Sequence, residues 1–230
     1  MRDKILLEDA LLLVEQNFYF LHVGEFFGTL AKNEKLSGYD LDISRTFETG
    51  ETYKFNKAII KELLWDANES KNEEITLFEY FVEFSAFRGI CMAMVEALRI
   101  DSQFRDFMQE KLGPQFEDFF DLVSFVRNVL SHNIHAQIKL NEKDYAGTLK
   151  RIRRMNREAN IDFYFLYADN LPEIGSPQPD YGFTCKIDFE SLKEEMPFLE
   201  IISHWELMML SELCFNFVMA YQLLEEIPHE

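Results

Sequence analysis

The nine residues FVRNVLSHN, from Phe125 to Asn133, put a guanidinium, a carboxamide and an imidazole within one short helix-forming stretch. Stepping about 100° per residue from Phe116, Phe120, Val123, Arg127 and Leu130 return to within about 40° of one line. Arg127 is thus expected on an apolar stripe. An unpaired buried charge costs several kcal/mol, so that position asks for a carboxylate, a second subunit or a bound anion. Asn128 and His132 are four apart and share a helix face, where the amide can orient the imidazole. Arg127 and His132 are five apart, about 140° around a straight helix. They meet over one ligand only if the helix ends at His132 or a second copy supplies half the site. Ser131 to Asn133 supplies such an end, with Asn133 able to take the left-handed conformation. An imidazole at a helix C-terminus suits proton transfer near neutral pH.

Structural readings of the same residues remain open. Arg127 can pair with Glu79 or Glu83 on the apolar segment from Phe78 to Leu98, and His132 can simply cap a helix end. His132 and His135 are three apart, but no Cys or acidic cluster with ligand spacing stands near them, which argues against a metal centre. The nine glycines are scattered, with Gly24 and Gly28 inside the first helix, so there is no Gly-rich phosphate loop. A serine in a nucleophile elbow is also missing.

An Arg, an immediately following polar residue, three more residues and then a His, placed late in an all-helical core, resembles the R-x4-6-H motif of the HEPN superfamily, here as Arg127, Asn128 and His132. The resemblance covers six residues. It implies a helical bundle that dimerises with its two motifs facing each other, and in many members a metal-independent endoribonuclease of toxin–antitoxin or anti-phage systems. On that implication His132 exchanges the proton of a ribose 2′ hydroxyl or of the leaving 5′ oxygen. Arg127 holds the phosphate and its growing charge, and Asn128 orients the imidazole or the phosphate. The implied partners are an RNA substrate, a second copy and an antitoxin protein. No cofactor or metal is implied, and the product ends are a 2′,3′-cyclic phosphate and a 5′ hydroxyl. Other relatives are non-catalytic, so a helical module that docks a protein or nucleotide without turnover is the alternative.

The net charge of −18 opposes nucleic-acid binding, since Lys and Arg neutralising phosphates supply most non-specific affinity. Its distribution is uneven. From Lys139 to Glu158 seven basic residues (Lys139, Lys143, Lys150, Arg151, Arg153, Arg154, Arg157) face three acidic ones (Glu142, Asp144, Glu158), a local +4 that leaves −22 elsewhere. Lys150, Arg151, Arg153, Arg154 and Arg157 are therefore the candidate RNA surface, and a solvated helix face is the competing reading. The acidic remainder discourages non-specific RNA binding or docks a basic partner.

The elements that must hold these residues are read from periodicity. With 230 residues, 47% of them hydrophobic and 23 Phe, the chain can bury one sizeable core, and a single domain over residues 1–230 is expected. Apolar spacing predicts helices over Lys4 to Ala31, Tyr53 to Ala67, Glu74 to Leu98 and Asp101 to about Gly113. Pro114 should open the motif helix, and Asp144 to Arg157 should form a basic one. Lys32 to Thr52 reads as a loop. The period then changes to two: Ile161, Phe163, Phe165 and Tyr167, then Phe183, Cys185, Ile187 and Phe189, predict a two-stranded hairpin over 161–190 with a loop stiffened by Pro172, Pro177 and Pro179. Ser191 to Glu194 matches a capping box, and Pro197 should start a last helix whose apolar face includes Trp205, Met209, Val218 and Leu223.

The expected fold class is mainly α, a helical bundle of the type the HEPN resemblance implies, with a small inserted hairpin. Cys91, Cys185 and Cys214 are expected as buried thiols in a reducing compartment. Glu8, Asp9 and Glu15 break any signal-like N-terminal run. Glu79, Glu83, Arg88 and Glu96 keep the longest apolar helix short of the roughly 20 uncharged residues a membrane span needs. Cytoplasmic location and no membrane contact are the expectations.

Overall fold

The computed structural model describes residues 2–33, 44–56, 58–59, 61–62, 77–133, 138–175 and 180–225. The fold is mainly helical with two small antiparallel strand pairs. The chain divides into two compact units, one of Met1–Tyr19 with Ser85–Glu230, the other Phe20–Phe84.

Helix α1 (Arg2–Lys32) buries Leu7, Leu11 and Val14 on one face, the three-and-four spacing that keeps side chains on one line. In the first unit its Phe18 stacks on Phe215 at 4.4 Å, and Glu15 accepts from Gln222 at 2.6 Å. Helix α2 (Leu77–Ile100) buries an almost continuous series, from Phe87, Ile90 and Cys91 to Met94, Val95, Ala97 and Leu98, as its apolar composition predicts. Helix α3 (Ser102–Leu112) starts where the Asp101 carboxylate accepts the Phe104 N–H at 2.7 Å. It stops at Gly113, whose φ of 51° disfavours any side chain there. Arg105 of α3 donates to the Leu98 carbonyl at 2.8 Å, occupying one of the free acceptors at the end of α2.

After a 3-10 turn at Gly113–Gln115, helix α4 (Phe116–His132) carries the motif. Helix α5 (Glu142–Arg154) begins two residues earlier than the sequence suggests. Asn141 caps it and Asp144 returns the bond, an Asn–Asp version of the capping box that a search for Ser or Thr followed by Glu does not detect. The hairpin of β3 (Asn160–Leu166) and β4 (Gly182–Asp188) is present as the alternation predicts, with Phe163 opposite Cys185 and Phe165 opposite Phe183. A short helix α6 (Tyr167–Asn170) follows β3. The inner face of the hairpin packs on the helices through Phe163 against Phe119 and Phe165 against Phe217, at 5.8 and 5.6 Å. An isolated two-stranded ribbon is marginal in water, and this burial is what holds it. Pro177 and Pro179 lie outside the described residues.

Four expectations are corrected. Residues 32–52 are not all loop: β1 (Ser44–Thr46) and β2 (Thr52–Lys54) pair across a turn with Gly50 at φ 88°, strands too short to show alternation. Tyr53 therefore lies in a strand rather than opening a helix, although residues 58–59 and 61–62 are helical. The last helix, α7 (His204–Glu225), does not start at Pro197. Its cap is Ser203, which donates to and accepts from Glu206 in a second S-x-x-E pattern. The chain around Pro197 is instead extended, because Leu140 N–H bonds the Met196 carbonyl and Phe198 N–H the Ile138 carbonyl, each at 2.9 Å. The apolar face expected of α7 is also buried only in part. Met209 and Val218 are inside, while Trp205 is 62% exposed and Leu223 is exposed.

Cys91, Cys185 and Cys214 are free and buried, and burial pushes each thiol upward, that of Cys91 to about 12. None is a nucleophile near neutral pH. Among the described residues, one helical stretch, His204–Leu224, is long and apolar enough to cross a membrane, and 56% of it is buried inside the protein.

Within the second unit α1 and α2 touch at Gly24, where an added Cβ would sit 2.0 Å from Val82 Cγ1. Helix propensity alone favours Gly24→Ala by about 1 kcal/mol. The collision with a stiff β-branched side chain should reverse that sign, lowering stability by about 1–3 kcal/mol. Chemical denaturation of the purified variant checks it, and unchanged or raised stability would contradict the packing.

Candidate functional site

Helix α4 turns its most apolar face, with Phe119, Leu122, Val126 and Val129, into the core, and all four are fully buried. Arg127 lies at the rim of that face rather than on its centre line, and it is half-buried. Its Nη1 donates to Asn128 Oδ1 at 3.0 Å. Among the described residues of its own unit it has no carboxylate partner, and the side chain of Glu79 lies outside the described residues. An arginine held on one side by a neutral amide keeps its positive charge uncompensated and most of its N–H donors available.

The helix stays α-helical through His132, so Arg127 and His132 diverge around its axis, as their spacing of five requires. Asn133 ends the helix, but with φ −114° and ψ 116° it is extended, not left-handed. Both its backbone N–H, at 3.2 Å, and its Nδ2, at 2.8 Å, donate to the Val129 carbonyl, so that helix-end acceptor is served twice by the one residue. From α2, Arg88 reaches the Asn133 carbonyl at 3.4 Å.

The partner of His132 is a residue that the spacing did not suggest. His132 Nδ1 lies 2.9 Å from Asp144 Oδ1, with the imidazole 42% exposed and the carboxylate fully buried. Asn128, which shares the helix face, bonds Arg127 instead. Asp144 Oδ2 accepts the backbone N–H of Asn141 at 2.8 Å and Asn133 Nδ2 at 3.1 Å. One carboxylate thus ties the end of α4, the start of α5 and the imidazole together. The sequence signal was faint: an Asp three residues after an Asn, a dozen residues beyond the His.

The basic segment separates into two groups. Arg151 pairs with Glu117 and Asp121, and its guanidinium lies 4.5 Å from the centre of the Phe120 ring. Arg157 bonds Asp121 at 2.6 Å and Asp118 at 2.5 Å. Burial pushes the Asp121 carboxyl above its ordinary range, while both guanidinium groups pull it back. These two arginines lock α5 and the chain leading to β3 onto α4, and they are not a solvated face. Lys150, Arg153 and Arg154 are exposed and carry no such pair among the described residues.

Among the described residues no group of His, Cys, Asp and Glu is placed to hold a metal ion, and His135 lies outside them. The chain matches no known family model, no curated protein and no solved structure.

The division of the arginines predicts opposite outcomes for charge reversal. Arg151→Glu would set a third carboxylate against Glu117 and buried Asp121, and it should destabilise the fold by about 3–5 kcal/mol. Reversing Lys150, Arg153 or Arg154 singly should stay within about 0.5 kcal/mol of the parent. Thermal melts of the four variants distinguish the two classes.

Proposed function

We propose that this chain is a HEPN-like, metal-independent endoribonuclease that works as a homodimer, in a toxin–antitoxin or anti-phage setting. The observation that carries the reading is the state of His132: a part-exposed imidazole held through Nδ1 by a sealed carboxylate, on the same helix as an arginine without a described countercharge. A general base needs a fixed orientation and an open second nitrogen, and Nε2 has no partner among the described residues. An arginine meant for a phosphate should not be spent on an internal carboxylate, and Arg127 pairs with none among the described residues of its unit.

The chemistry follows from these groups. His132 Nε2 accepts the proton of a ribose 2′ hydroxyl, the 2′ oxygen bonds to phosphorus, and the bond from phosphorus to the 5′ oxygen breaks. The leaving 5′ oxygen takes a proton from the protonated His132 of the partner subunit. Arg127 holds the non-bridging phosphate oxygens as charge builds on them. Since Arg127 and His132 diverge on one helix, a two-fold dimer supplies the complementary half of the cleft. Lys150, Arg153 and Arg154 then form the phosphate-binding surface, with Arg151 and Arg157 in a supporting role. A non-catalytic docking module is the second reading, and one observation favours it: two of the five candidate RNA-binding residues, Arg151 and Arg157, are engaged with carboxylates inside the fold.

Incubating the purified protein with total RNA in excess EDTA, and comparing His132→Ala, tests the reading. Cleavage that persists in EDTA and falls by about 10² to 10⁴ in the variant, with melting temperature and RNA affinity retained, supports it. Arg127→Lys should also slow cleavage, because it keeps the charge but loses the planar fork. A wild type that binds RNA without cutting it moves the protein to the docking class. A folded His132→Ala protein that cuts normally returns the motif to a structural role. Light scattering at micromolar concentration should give twice the mass of one chain, and a clean monomer would exclude the shared cleft.

A further inference from the structure

We infer that Asp144 is the positioning residue of this site: its buried carboxylate fixes His132 as the Nδ1–H tautomer and so makes Nε2 the nitrogen that exchanges protons with a ligand. The kinetic part of this inference rests on the ribonuclease reading; the tautomer does not.

The geometry leaves Asp144 little freedom. Its side chain is fully buried, and an ionised carboxylate in such a place needs every available donor. Three donors are supplied: the Asn141 backbone N–H and Asn133 Nδ2 on Oδ2, and His132 on Oδ1. The first two come from rigid helix ends and hold the carboxylate in place independently of the histidine. An ionised carboxylate only accepts, so the hydrogen between it and Nδ1 must belong to the imidazole. Proton transfer at Nε2 then needs no rearrangement of the ring, and when Nε2 gains a proton the carboxylate stabilises the imidazolium.

Asp144 already has an evident structural task, closing the capping box of α5. A role confined to capping and a role in positioning differ in what Asp144→Asn does. The amide oxygen can still accept from Asn141, preserving the cap. The amide nitrogen can turn to Nδ1 as a donor, which favours a hydrogen on Nε2 instead.

The experiment is two-bond nitrogen–proton correlation NMR of the full chain labelled with ¹⁵N-histidine, at a pH where the imidazole is neutral. The five His of the chain are resolved by comparison with His132→Gln. The wild type should show His132 as Nδ1–H, and Asp144→Asn should move it to Nε2–H while the melting transition remains cooperative. In the same variant kcat for RNA cleavage should fall by about ten-fold or more, with KM within about two-fold, since the lost interaction concerns proton transfer and not binding. Wild-type His132 found as Nε2–H overturns the inference whether or not the protein cuts RNA, and needs no variant to fold. A folded Asp144→Asn protein with unchanged tautomer and unchanged kcat also overturns it. Should the wild type cut no RNA, the ribonuclease reading fails alone, and the tautomer in the wild type and in the variant still decides what Asp144 does.

Discussion

A carboxylate sealed from water must have its lone pairs occupied, and two such carboxylates govern how α4 and α5 sit together. Asp144, in the first turn of α5, gathers Asn133, Asn141 and His132 from the end of α4 and the turn after it. Asp121, in the second turn of α4, gathers Arg151 from the last turn of α5 and Arg157 from the chain just beyond it. The helix pair is pinned at both ends by groups that cannot be left unpaired. Removing one partner of such a contact leaves an uncompensated charge in the interior, which costs far more than the intact contact contributes. The two helices are therefore tightly specified in register, and the imidazole inherits that precision.

The placement reconciles an acidic protein with a site that requires positive charge. The carboxylates of this helix pair are engaged within the fold: Asp144 by two N–H donors and the imidazole, Asp121, Glu117 and Asp118 by Arg151 and Arg157. What α4 and α5 leave outside is mostly cationic or neutral, with Lys150, Arg153 and Arg154 exposed and Arg127 at the rim without a carboxylate partner among the described residues of its unit. The charge that matters to an approaching anion is the local field, not the sum over the chain. Two of the five residues of the apparent basic patch, Arg151 and Arg157, are scaffold, and the other three are surface.

The aromatic core supports the same helix from behind. Phe119 meets Phe163 and Phe217, and Phe125 meets Phe189 and Phe198, so α4 is packed by the hairpin, by α7 and by the turn that precedes α7. Motif side chains can be rim-exposed and still well placed because the opposite face of their helix is immobilised. Sites on packed helices hold their geometry better than sites on loops.

The sequence alone determined the elements whose signal is local. Periodicity placed the motif helix, the hairpin and the apolar character of α2, because side-chain spacing reports directly on which face is buried. It also located Arg127, Asn128 and His132 on one helix, since five residues cannot be elsewhere than on neighbouring turns. It misplaced the start of α7, where two S-x-x-E patterns stand a dozen residues apart and only the pairing of 138–140 with 196–198 selects between them. It could not separate Arg151 from Arg153: they are two residues apart in one basic run, and which of them turns toward Asp121 depends on how α5 lies across α4. Nor could it join His132 to Asp144, for that bond closes only when two helices fold back on each other. Tertiary structure decided which charges are spent inside and which face the solvent, because the cost of burying a charge depends on its surroundings in space and not on its neighbours in the chain.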